Sequence, residues 1–199
     1  MPPLARAQLL AAARAFCDSF ARKRPVEEIL SHFSSSPPSP SSISPAPPPA
    51  ATAPATDDGS ESGILVREHG LPQLAPFLGR DFRGLRGARR YFEIVGACLR
   101  YEDMRFVAFV AGGAAEEGEG EGESDENEGG QVAVRGRARF TWRETGQSWD
   151  ETFVYVLCFD ARAKVRRYEI WADSGAAYLA RRGELASSGE QDGERRATE

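Results

Sequence analysis

Residues 138–160 read ARFTWRETGQSWDETFVYVLCFD, and the alternation within them decides the fold. On both sides of Thr145-Gly146, a turn pair, apolar and polar residues alternate with period two. That is the pattern of two half-buried antiparallel strands, expected at 131–143 and 147–159. With Thr145-Gly146 as the whole turn, Trp142 faces Trp149, Phe140 faces Glu151 and Ala138 faces Phe153. One face then carries Val132, Val134, Gly136, Ala138, Phe140 and Trp142 opposite Trp149, Glu151, Phe153, Tyr155 and Leu157. This face is apolar and aromatic and has to pack on something. The other carries Arg135, Arg137 and Arg139 with Val154 and Val156. It reads as a solvated face or as half of a homodimer contact.

Outward from this hairpin, residues 101–111 and 164–172 read as two more strands. A short strand at 64–69 and a helical turn at 71–77 precede a helix at 84–99, which carries Tyr91, Phe92, Val95 and Leu99 on one side. Residues 4–22 form an Ala-rich amphipathic helix with Leu9, Ala12, Ala13, Phe16 and Phe20 at helical spacing. Arg6 and Arg14, with no acid before Asp18, also fit a mitochondrial presequence, but the pattern runs straight into a second helix opened by Pro25, as a domain helix would. A last helix is expected at 174–182. The order is α-α-β-α-β-β-β-β-α, which is α+β: helices early, antiparallel strands late.

Three stretches stand apart from this pattern. Residues 34–62 hold eight of the 13 prolines and no aromatic; residues 112–130 hold eight acids, seven glycines and no base; residues 184–199 are polar. Such segments bury too little apolar surface to offset their ordering entropy and are expected to be disordered. The remaining 135 of 199 residues hold all 19 aromatics. The expectation is one domain over 1–183, interrupted twice and followed by a tail. The net charge of -5 resides in the acidic loop, and the rest of the chain sums to +3. That balance argues against nucleic-acid binding by bulk electrostatics, and no apolar run is long enough to cross a membrane. Cys17, Cys98 and Cys158 are few, odd in number and far apart, and read as reduced thiols of a cytoplasmic protein. There is no phosphate loop, no metal-ligand spacing and no serine-nucleophile elbow.

The candidate chemistry lies on the aromatic face. Glu151 is its one acid. A carboxylate buried there has a raised pKa and can serve as a general acid or base, whereas at the open rim it meets only water or an arginine; the pattern leaves both open. Tyr155 needs a partner for its hydroxyl if buried. His69, at the end of the short strand, is the better placed of the two histidines to open on a cavity. Asp173 begins the last helix as an N-cap. Trp142, Trp149, Phe153 and Phe140 form the apolar wall of a small-molecule pocket. The final strand can be counted two ways; the preferred count puts Tyr168 and Ile170 on the aromatic face.

These residues support a family resemblance. REHG at 67–70, PFLGRDF at 76–82, YF at 91–92, the hairpin at 138–160 and KVRRYEIWADSGAAYLA at 164–180 resemble fungal SnoaL-like proteins of the NTF2-like superfamily. The resemblance implies a cone in which a curved antiparallel sheet wraps a cavity closed by three N-terminal helices. It implies no cofactor and no metal. In the enzymes of that group, which are isomerases, cyclases and dehydratases, a pocket carboxylate or histidine moves a proton, and a tyrosine or second acid stabilises an enolate. Other members bind ligands without catalysis. Asp173 matches the aspartate that closes the last strand in many such sequences. Glu151, Asp173, His69 and Tyr155 are therefore the catalytic candidates, acting on a small apolar or aromatic molecule.

Overall fold

The computed structural model describes residues 4–34, 63–112 and 129–185. The Pro/Ser-rich stretch, the acidic loop and the polar tail lie, but for their edges, outside the described residues. The elements are α1 (Arg6–Ala21), α2 (Val26–Leu30), β1 (Leu65–Glu68), β2 (Phe82–Arg83), α3 (Gly84–Cys98), β3 (Leu99–Ala111), β4 (Gly130–Trp142), β5 (Ser148–Phe159), β6 (Val165–Trp171) and α4 (Ser174–Arg182). They form one curved six-stranded sheet in the order β2-β1-β6-β5-β4-β3, with helices on its concave side.

Two features depart from the expected all-antiparallel sheet. β1 runs parallel to β6, pairing Val66 with Tyr168 and Glu68 with Ile170, and the two-residue β2 closes the edge. Residues 71–77 make turns rather than a turn of helix. A parallel neighbour so distant in sequence leaves no local periodicity to read.

The β4–β5 hairpin is offset by two residues from the simple turn. Phe140 pairs with Trp149, Ala138 with Glu151 and Gly136 with Phe153. Two contacts with distant segments hold the turn. The Arg143 amide donates to the Cys98 carbonyl at the end of α3, and Thr145 Oγ1 donates to Ala180 O of α4 at 2.6 Å. The connection therefore spans Arg143 to Gly146, closed by the Gly146 amide on Trp142 O, with Gly146 at φ 72°. Because the offset is even, every side chain keeps its face.

α1 buries Leu9, Ala13, Phe16 and Phe20 and packs on β3 and β4. Phe16 meets Phe20 and Tyr168 edge-on, with centroids 5.1 Å apart in each case. This face makes α1 part of the core. β3 carries two register shifts, between Glu102 and Arg105 and between Phe106 and Ala108, and such bulges bend a strand. The inner face of β4 to β6 is apolar as expected, with Tyr168 and Ile170 on it. The three cysteines are free, and burial pushes the Cys17 thiol well up, so it is inert. No helix among the described residues is long and apolar enough to cross a membrane.

Candidate active site

Between the concave face of the sheet and α1 to α3 lies a cavity of about 220 Å³, measured to the centres of water-sized spheres. That is far above the roughly 10–15 Å³ one water needs on the same measure. Its walls are mostly apolar and rich in aromatics, with Phe20 and Phe92 from the helices and Phe140, Trp149 and Phe153 from the sheet. Strand alternation places the sheet residues there; helical spacing places the others.

Two buried carboxylates face this cavity. Glu151 on β5 is 8 % exposed, so it is not a solvated rim residue. Its Oε2 accepts from the Trp149 indole N–H at 2.6 Å, and its Oε1 accepts from the backbone N–H of Asp173. Burial raises its pKa, the two N–H donors hold it down, and the nearby Asp173 charge raises it again. The second carboxylate is Glu68, at the end of β1 and also 8 % exposed. Its Oε2 accepts from the Tyr91 hydroxyl at 2.5 Å. Burial pushes Glu68 up to about 7, against the lowering effect of Tyr91 and with further help from the Glu151 charge. That last cause ties the two acids into one electrostatic site.

A second pair of hydroxyls completes the floor. Tyr168 on β6 and Tyr155 on β5 lie edge to face, with ring centroids 4.9 Å apart. Burial raises both phenols far out of the physiological range, so they act as neutral donors. Asp173 lines the cavity at its edge, and its Oδ1 accepts from the Ala176 amide at 2.9 Å, capping α4.

The cavity thus gathers Glu151, Tyr155, Asp173, Phe140, Trp149 and Phe153 from the expected set. Two residues fall elsewhere. Trp142 is on the inner face but is buried to 3 % behind Phe77, which lines the cavity in its place. His69 is on the outer side of the sheet, contrary to the expectation that its strand end opens inward. It stacks on Trp171 at 4.0 Å and its Nε2 lies 3.1 Å from Glu169 Oε1. The reason is alternation: the neighbour Glu68 points in, so His69 points out. The same rule contained a signal for Glu68. Ile64, Val66 and Glu68 share one face, and the first two are plainly core. Tyr91 stands one residue from Phe92 on a helix already recognised as apolar.

Among the described residues no group of three or more His, Cys, Asp or Glu side chains is arranged to hold a metal ion. No family model and no curated protein matches this chain. Solved structures do. An NTF2-like protein from Burkholderia xenovorans LB400 aligns over 89% of this chain and 98% of its own, at 14% identity and TM-score 0.54. A candidate isomerase from Bacillus subtilis aligns over 91% and 97%, at 10% identity and TM-score 0.56. The BvnE pinacolase from Penicillium brevicompactum aligns over 96% of both chains, at 13% identity and TM-score 0.50. At such identities the likeness is one of fold, and the fold is NTF2-like.

Proposed function

We propose that this NTF2-like cone binds a small apolar or aromatic carbonyl compound and moves a proton on it, as an isomerase, cyclase or dehydratase working by general acid–base catalysis. The observation that carries this reading is the pair of buried carboxylates, Glu68 and Glu151, facing one aromatic cavity. Groups whose environments differ in this way divide acid and base roles between them. Glu151 has two N–H donors that stabilise its anion, so it is the base. It takes a proton from the carbon next to the carbonyl. Glu68, raised to about 7, still holds a proton near neutral pH and gives it to the carbonyl oxygen. Where a C=C lies β,γ to the carbonyl, the resulting dienol collapses as Glu151 returns its proton to the γ-carbon, the double bond moves into conjugation, and Glu68 recovers its own proton; without that double bond the proton returns to the carbon it left. Tyr155, Tyr168 and the aromatic wall orient the substrate. The chemistry named for the pinacolase and the candidate isomerase is of a compatible kind, and comes to this chain as analogy only.

A ligand screen by thermal shift on wild type and Glu151→Gln tests this reading. Hits that stabilise both proteins but are turned over only by wild type support it. A wild type that binds no apolar carbonyl compound refutes it.

A second reading, a dimerising binding module, has its own observation. Val154 and Trp171 pair across β5 and β6 on the outer face and are 36% and 41% exposed, beside the Arg137 and Arg139 ladder. Exposed apolar groups of this kind mark contact surfaces. Light scattering on wild type and Val154→Asp checks it: a dimer split by the substitution supports it, and a monomer in both cases removes it.

A further inference from the structure

The charges that line the cavity are unevenly placed. Glu68 and Glu151 are buried and acidic, and the lining holds a single cationic residue, Arg24. Arg24 lies in the turn between α1 and α2, with its side chain 46% exposed, so it stands at the rim. Asp173 also lines the cavity and is exposed, on the α4 side, where its carboxylate caps that helix. The partner of Arg24 is loose: Nε lies 3.5 Å from Glu28 Oε1, four residues on, in a pair half exposed at both ends. A guanidinium has five N–H donors, and this pair uses few of them.

We infer that the ligand of this site is amphiphilic, with a neutral, hydrogen-bonding ring end inserted towards Glu68 and Glu151 and an oxyanion, such as a carboxylate, held at the mouth by Arg24. The inference rests on the small-molecule reading of the cavity given above. An anion cannot enter ring-first or head-first with equal ease. Beside Glu151 and Glu68 it loses its water in a low-dielectric wall next to the Glu151 carboxylate, whereas at the rim it exchanges water for a guanidinium fork that matches two oxygens. Glu28 is displaced to water at little cost, since such exposed i,i+4 pairs are weak.

The probes are 2-naphthol, 6-hydroxy-2-naphthoate and the methyl ester of the latter, which is neutral and larger by one methyl group. Affinity is read by calorimetry, on the full chain, in wild type and Arg24→Gln. Arg24 is exposed, and a melting curve checks that the variant folds. The naphthoate is expected to bind wild type on the order of 5-fold tighter than its ester at low salt. The preference should fade at about 0.5 M NaCl and vanish in Arg24→Gln, with the affinity of naphthol and ester unchanged. Equal binding of naphthoate and ester to wild type overturns the inference while leaving the pocket intact. So does a preference that survives in Arg24→Gln. If none of the three binds wild type, the pocket reading itself falls, and the inference with it.

Discussion

Glu68→Gln gives the sharpest prediction about stability. In the folded chain the Glu68 carboxyl is raised from 4.5 to about 7, chiefly by burial. In the unfolded chain it ionises near its ordinary value. Between these two values the unfolded state has released a proton that the folded state keeps, so folding stability must fall as pH rises through this window, and level off above about pH 7. A displacement of this size corresponds to a loss on the order of 3 kcal/mol. Glutamine has nearly the same shape, its carbonyl oxygen can still accept from Tyr91, and it does not titrate. The variant should therefore lack this contribution, while Glu151, also raised, remains in both proteins. The assay is urea unfolding of wild type and Glu68→Gln at several values between about pH 5 and about pH 8. The variant should gain on wild type by about 2–3 kcal/mol across the range, with most of the gain complete by pH 7. A stability difference that stays flat with pH would refute the claim that Glu68 sits buried and protonated at the cavity.

Three further outcomes are expected. Tyr91→Phe removes the donor that lowers Glu68, so the same pH-dependent loss should shift to higher pH, and stability at neutral pH should drop by about 1–2 kcal/mol, both visible in the same titration. Glu151→Gln replaces an acceptor oxygen with an N–H donor facing either the Trp149 or the Asp173 N–H, and should cost about 1–3 kcal/mol in urea unfolding, tested by comparison with Glu151→Asp. Gly136→Ala places a Cβ 2.5 Å from the Phe153 Cζ, a ring already packed against Tyr155, so the ring must shift; destabilisation of about 1–3 kcal/mol and weaker binding of apolar ligands should follow.

The hairpin at 138–160 exposes both the strength and the limit of reading such a chain. Period-two alternation assigned Glu151, Phe153 and Tyr155 to the inner face correctly, because an offset of two residues leaves faces unchanged. The offset itself is not chosen by the alternation: a two-residue and a four-residue turn keep the same faces, and the contacts of the turn with Cys98 and Ala180 lie far off in sequence. His69 and Glu68 show the converse. A histidine draws attention as a residue type, but the alternation that places Val66 in the core selects its acidic neighbour for the cavity. Trp142 is on the right face yet lies behind Phe77, a distinction that depends on where Phe77 packs. Neither the parallel pairing of β1 with β6 nor the meeting of Glu68 with Tyr91 leaves a local signal, since both are contacts between distant segments.

The central claim is that Glu151 and Glu68 together move a proton on a carbonyl compound held in the cavity. Its most direct test is exchange of the α-protons of an apolar bicyclic ketone such as 2-tetralone in D2O, followed by NMR. Wild type should accelerate exchange well above buffer, Glu151→Gln should abolish the acceleration, and Glu68→Gln should reduce it with binding retained. A ketone that binds in the cavity and exchanges no faster than in buffer would contradict the account.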